Sequence, residues 1–166
     1  MNVFLMETLA AWVPGTPEME VKVLFGRHIW LVAQLADKLG RRTRELRAPL
    51  HFSRFPAASY VRALDALAAI EQTAARLEGL YQVALPSLGS AYAGYLAQTD
   101  RLIDEPTVVI LEEALREIDR MRSESVQLLD EFPALREGAS NAAGELRRSF
   151  AEATDILDAH REAQSA

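Results

Sequence analysis

From Val21 to Leu46 apolar side chains return every three or four residues, at Val21, Leu24/Phe25, Leu31/Val32, Leu35, Leu39 and Leu46. A repeat of that period fits one face of a long helix and not a strand, whose side chains alternate with period two. No stretch of the chain alternates apolar and polar residues between Gly-rich hairpin turns. Prolines stand instead where helices would begin or end.

These signals predict five helices. Thr16-Pro17-Glu18 opens the first, over about 17–46, with Thr16 as its cap and acids at the positive end of the dipole. Residues 47–58, with Pro49 and Pro56 around His51 and Phe52, form the longest connection. A second helix spans about 57–83, with Leu64, Leu67, Ile70, Ala74, Leu77 and Tyr81 on one face. Pro86 opens a third, to about Leu102. Asp104-Glu105-Pro106 opens a fourth, over 105–132, with Val108, Leu111, Leu115, Ile118, Val126 and Leu129 inward. Gly138, Ser140 and Asn141 restart a fifth, over 140–160, whose inward face is Leu146, Phe150, Ala153 and Ile156/Leu157. Ahead of Pro14, Phe4, Leu5, Leu9 and Trp12 are too apolar for a free arm; they dock as a short extra helix or cover a dimer seam. The expectation is a single all-α domain over 1–166, an antiparallel four- to five-helix bundle.

Composition narrows the chemistry. With 166 residues, 49% of them hydrophobic, the chain can bury roughly 70% of its unfolded surface without staples. It has no cysteine, which excludes thiol nucleophiles, thiolate zinc and cysteine-ligated clusters. No apolar run approaches the ~18 residues of a membrane span, and no Lys or Arg precedes Lys22, so the charged start of a signal peptide is missing. A cytoplasmic protein without membrane contact is expected. A net charge of −6 argues against general nucleic-acid binding. Neither a Gly-x-Ser-x-Gly elbow, a Gly-x-Gly-x-x-Gly loop nor a His-Glu-x-x-His motif occurs.

The segment Asp104-Glu-Pro-Thr-Val-Val-Ile-Leu-Glu-Glu-Ala-Leu-Arg-Glu117 resembles a late helix of the ferritin-like superfamily, and the long first helix, with His28 and Glu45, is similar to an uncharacterised branch of it. The resemblance covers about residues 16–132. It implies a bundle whose core would hold two irons on four carboxylates and two histidines. The residues depart from that template. The expected Glu-x-x-His reads Glu117-Ile118-Asp119-Arg120, and no Glu-x-x-His occurs anywhere. A standard di-iron site is not expected, and no cofactor is; iron or manganese is the alternative.

Single residues then carry the candidate chemistry. His28 lies on the apolar seam between Val21/Leu24 and Leu31/Leu35. It is either a hydrogen-bonded core histidine or a ligand or general base. Its candidate carboxylate partners are Glu18, Glu71, Glu112 and Asp119, with Glu18 and Glu71 the catalytic candidates and Glu71, Glu112 and Asp119 the metal candidates. Arg41, Arg42, Arg44, Arg47 and Arg54 form the densest charge cluster. They would receive an anion, an acidic partner or the Glu-rich fourth helix of the same chain, or else form a solvated helix end. Tyr81, Tyr92, Tyr95, Phe52 and Phe55 could line an apolar pocket or simply core. The expected function is binding of a ligand or partner, self-association included, with the chain as a subunit of a complex. The alternative is a small-molecule enzyme with a one-metal or metal-free acid–base site around His28.

Overall fold

The computed structural model describes residues 1–47, 58–136 and 142–153. It is helical throughout, with no strand among the described residues. The helices are α1 (Asn2–Trp12), α2 (Met19–Glu45), α3 (Ala58–Ala68), α4 (Thr73–Glu78), α5 (Leu85–Gln98), α6 (Glu105–Glu131) and α7 (Ala142–Glu152). A π-helical turn, Gly79–Ala84, joins α4 to α5, and a 3-10 turn, Pro133–Arg136, follows α6.

The two long helices, α2 and α6, lie antiparallel: Arg27 and His28 meet Glu124, Lys38 meets Glu113, and Arg42 meets Asp104 and Thr107. Val21, Leu24, Phe25, Val32 and Leu35 of α2 are buried, as are Val108, Leu111, Ala114, Ile118 and Met121 of α6. The N-terminal residues form a docked helix. Leu5, Leu9 and Trp12 of α1 are buried, and the Trp12 ring sits 5.8 Å from that of Phe25. Leu146 and Phe150 of α7 are buried, with Phe150 edge-on to Tyr60 of α3 at 5.8 Å; Ile156 and Leu157 lie outside the described residues.

Three expectations need correction. Thr16 does not cap α2, which starts at Met19 behind Glu18. Buried Thr16 donates its hydroxyl to the Trp12 carbonyl at 2.9 Å and so closes the end of α1. Secondly, the break expected near residues 84–85 falls at 69–72, because residues 73–98 run as one helical rod with helical dihedrals at both junctions. Pro86 lacks an N–H and its ring would clash with the carbonyl of residue 82 in a straight α-helix; the wider π turn relieves this. Leu85 donates to Leu80 in the i−5 register. The next acceptor in that register, the Tyr81 carbonyl, would face the missing Pro86 donor, and it takes Arg122 Nε at 3.2 Å instead. Thirdly, Val126 is 44% exposed. The inward stripe of α6 continues through Met121 and Ser125, so taking Val126 as core rotates the helix to the wrong flank.

Arg76 fixes the 69–72 break. Its guanidinium, nearly buried, donates from Nε to the Ile70 carbonyl at 2.8 Å and from Nη1 to Thr16 Oγ1 at 3.2 Å and the Trp12 carbonyl at 3.4 Å. It also lies over the Trp12 indole, 5.4 Å from the centroid, a cation–π contact. The indole N–H in turn donates to the Ala68 carbonyl at 3.2 Å. Carbonyls that two helix ends would leave bare are thus satisfied around one cation. Burial lowers the Arg76 pKa, and the nearby Glu71 and Glu18 carboxylates oppose that shift. Arg76→Ala leaves the Ile70 carbonyl without its donor and removes the cation from Trp12, and a loss of about 1–3 kcal/mol is expected by urea unfolding; a change below ~0.5 kcal/mol would show that the junction does not depend on it.

Candidate functional site

His28 falls one turn from Leu24 and one turn from Val32 on the buried face of α2, so burial of the imidazole follows from the helical period. It is 0% exposed, as is Tyr81. The π turn carries the Tyr81 hydroxyl to 2.6 Å from His28 Nδ1, with the rings edge-on at 5.4 Å. On the other side Nε2 lies 3.2 Å from Glu124 Oε2 of α6. The same oxygen receives Arg27 Nη1 at 2.8 Å, while Oε1 receives Arg120 Nε at 3.0 Å.

Chemistry fixes the protons. The hydrogen bonds from Arg120, Arg27 and His28 lower the Glu124 pKa against the desolvation that opposes them, so the carboxylate only accepts. Nε2 therefore carries the imidazole proton, and Nδ1 accepts from the Tyr81 hydroxyl. Desolvation holds the His28 pKa down at about 4, although Glu124 pulls it upward. Burial likewise raises the Tyr81 pKa. The result is a chain across three elements in which neutral Tyr81 and neutral His28 end on the Glu124 carboxylate. Its order is that of a proton relay, but the two residues that would meet a substrate are closed to solvent. Beside it, buried Glu117 Oε2 has no hydrogen-bond partner and stands 3.7 Å from Arg120 Nη1.

The candidate carboxylates do not converge on His28. Glu18 accepts from Thr73 Oγ1 at 2.8 Å, and Glu71 is exposed in the 69–72 turn rather than on a helix. Glu112 pairs with Arg101, and Asp119, 77% exposed, pairs with Arg122 at 3.7 Å. Among the described residues, no group of three or more His, Asp or Glu is placed to hold a metal ion. The partner that His28 does have, Glu124, lies on the α2-facing flank of α6, one heptad after Glu117. That spacing was the available signal, hidden by the rotation that Val126 imposed on the stripe.

The arginine cluster is also divided. Arg41 pairs with Asp37 at 2.8 Å. Arg42 folds onto the start of α6, giving Nε to Thr107 Oγ1 and Nη2 to Asp104 Oδ1, both at 2.9 Å. Hydrogen bonds from Thr107, Tyr95 and Arg42 hold the Asp104 pKa down at about 2. Arg44 and Arg47 are exposed, with Arg47 in the left-handed region at φ 51° just past α2; Arg54 lies outside the described residues. Of the expected readings, contact with the Glu-rich helix describes Arg42.

Next to this pair a cleft of about 390 Å³ opens between α1, α2, α5 and α6. Leu39, Leu46, Leu88, Ala91 and Leu111 line it together with Tyr92 and Tyr95. Tyr81 is not part of it, and Phe52 and Phe55 lie outside the described residues. Compared with known proteins, the chain matches no family model, no curated protein and no solved structure.

The buried histidine gives a signed pH dependence. Unfolded, His28 titrates near 6.5; folded, near 4. The unfolded chain therefore binds the extra proton between those values, and stability falls as pH drops through that window, by about 1.4 kcal/mol per pH unit at most. Urea unfolding of the protein and of His28→Gln at pH 7, 6 and 5 reads this directly. The difference in slope between them is expected below pH 6.5, and parallel slopes would contradict it.

Proposed function

We propose that the chain is a ferritin-like helical bundle without a standard di-iron site, and that it works by binding: the cleft between α1, α2, α5 and α6 takes up a largely apolar small molecule. The fold reading is supported by the long antiparallel α2–α6 pair and by the Asp104-Glu-Pro-Thr segment opening α6. Binding is carried by one observation, the composition of the cleft. Its volume lies within the range of ligand pockets, and its walls are mainly aliphatic and aromatic.

Its polar side chains already serve one another. Asn2 Nδ2 donates to Tyr92 Oη at 2.7 Å, the Tyr95 hydroxyl donates to Asp104 at 2.6 Å, and Thr43 donates to the Leu39 carbonyl at 2.9 Å. Arg42 and Thr107 are held in the Asp104 network. A strongly charged ligand would have to break these bonds, whereas an apolar one leaves them intact and displaces water from the walls.

The second reading, an acid–base enzyme around His28, draws on the Tyr81–His28–Glu124 chain. It requires α2 or the π turn to move aside before any substrate reaches the imidazole.

An uncharged fluorescent probe such as N-phenyl-1-naphthylamine tests the binding reading. One native-state site is expected, with Kd raised at least ~10-fold by Ala91→Trp, which fills the cleft, and unaltered by His28→Gln. Binding indifferent to Ala91→Trp would reject the cleft, and turnover of any small substrate lost in His28→Gln would favour the enzyme.

A further inference from the structure

Among the described residues, the outer face of α2 is unpartnered. Met19, Val23 and Trp30 are spaced by four and seven residues, which puts them on one side of the helix, opposite the buried Val21, Leu24, Phe25 and His28. They are 65%, 54% and 65% exposed. Scattered surface apolar residues need no explanation, but a row led by a tryptophan does. Between Val23 and Trp30, one turn from each, sits Gly26, also exposed. A Cβ at Gly26 would meet nothing within 4 Å, so packing among the described residues does not require glycine there. Mid-helix glycine lowers helix stability, and its lack of a side chain permits close approach by another backbone.

We propose that this face binds a second copy of the same chain, with two α2 helices crossing antiparallel about a two-fold axis at Gly26. The reasoning is one of self-complementarity. An isologous contact needs each bulge to meet a hollow on an identical surface. About an axis at Gly26, Met19 of one copy lies opposite Ala33 of the other, and Trp30 lies at the level of Lys22, beside Val23. Met19 and Ala33, one bulky and one small, therefore meet without clash, and the Trp30 ring packs along the Lys22 stem and Val23. Past Ala33 the face turns polar, with Gln34, Asp37 and Arg41, and these would form the rim.

The area fits a weak dimer. Three side chains at these exposures remove roughly 700 Å² of apolar surface over two copies, given 150–250 Å² for a whole aromatic side chain. With the rim added the contact reaches about 1,000 Å², the lower bound for a specific interface. Dimerisation in the micromolar range follows, with Trp30 as its main anchor.

Sedimentation velocity on the full chain from about 1 to 500 µM is the test. A reversible monomer–dimer equilibrium is expected, weakened at least ~30-fold by Trp30→Ala. Gly26→Leu should weaken it as strongly while raising the thermal midpoint, because a better helix former then occupies an open site. The rise separates loss of the interface from loss of the fold. A monomer at every concentration overturns the proposal, as does a dimer that either variant leaves unchanged.

Discussion

The neutral imidazole of His28 is the joint on which the middle of the molecule depends. Both ring nitrogens are bonded, one to Tyr81 on the π turn and one to Glu124 on α6. An imidazole in an apolar core would otherwise leave a donor and an acceptor unmet, at about 1–3 kcal/mol each. Meeting both demands fixes the register of α2 against α6 and the position of the π turn at once. The backbone follows: the Tyr81 carbonyl that Pro86 cannot serve takes Arg122, two residues before Glu124 on the same helix. Side chain and carbonyl of one tyrosine are therefore held by α2 and α6 together.

This arrangement gives the α2–α6 pair a closed end and an open one. Toward the start of α2, His28 and Tyr81 are closed off and matched, and they face each other rather than a solvent path. Toward its end, the Arg42–Asp104–Thr107 network ties the two helices at their edge and leaves an apolar hollow beside it. The closed end has the residues of a proton relay without access, and the open end has access without free catalytic groups. That division is what supports the proposal of ligand binding at the open end.

Much of the helical pattern was legible because it rests on local chemistry. The α2 seam, the start of α6 at Glu105 and the docking of Leu5, Leu9 and Trp12 follow from period and burial. The 69–72 break was not legible, because it is stabilised by Arg76 reaching back to Trp12 and Thr16, residues some 60 positions away. Pro86 misled for the same reason: a lost N–H reads as a helix start unless a distant side chain, here Arg122, compensates. His28 could be placed in the core from its neighbours, but its partners could not. Glu124 was obscured by a stripe drawn through Val126, and Tyr81 is aligned by a π turn that local spacing does not encode. The arginines of residues 41–54 read as one charge cluster open to an anion, a partner or the fourth helix, yet among the described residues Arg42 alone is drawn inward, by an aspartate 62 residues on.

The most direct measurement is the nitrogen-15 NMR spectrum of the histidines, followed from pH 8 to pH 4. The His28 ring should show a protonated Nε2 and a bare, hydrogen-bonded Nδ1, and should keep that pattern until the pH nears 4. A His28 that titrates near 6.5, or that carries its proton on Nδ1, would contradict the closed Tyr81–His28–Glu124 joint and reopen the site to acid–base chemistry.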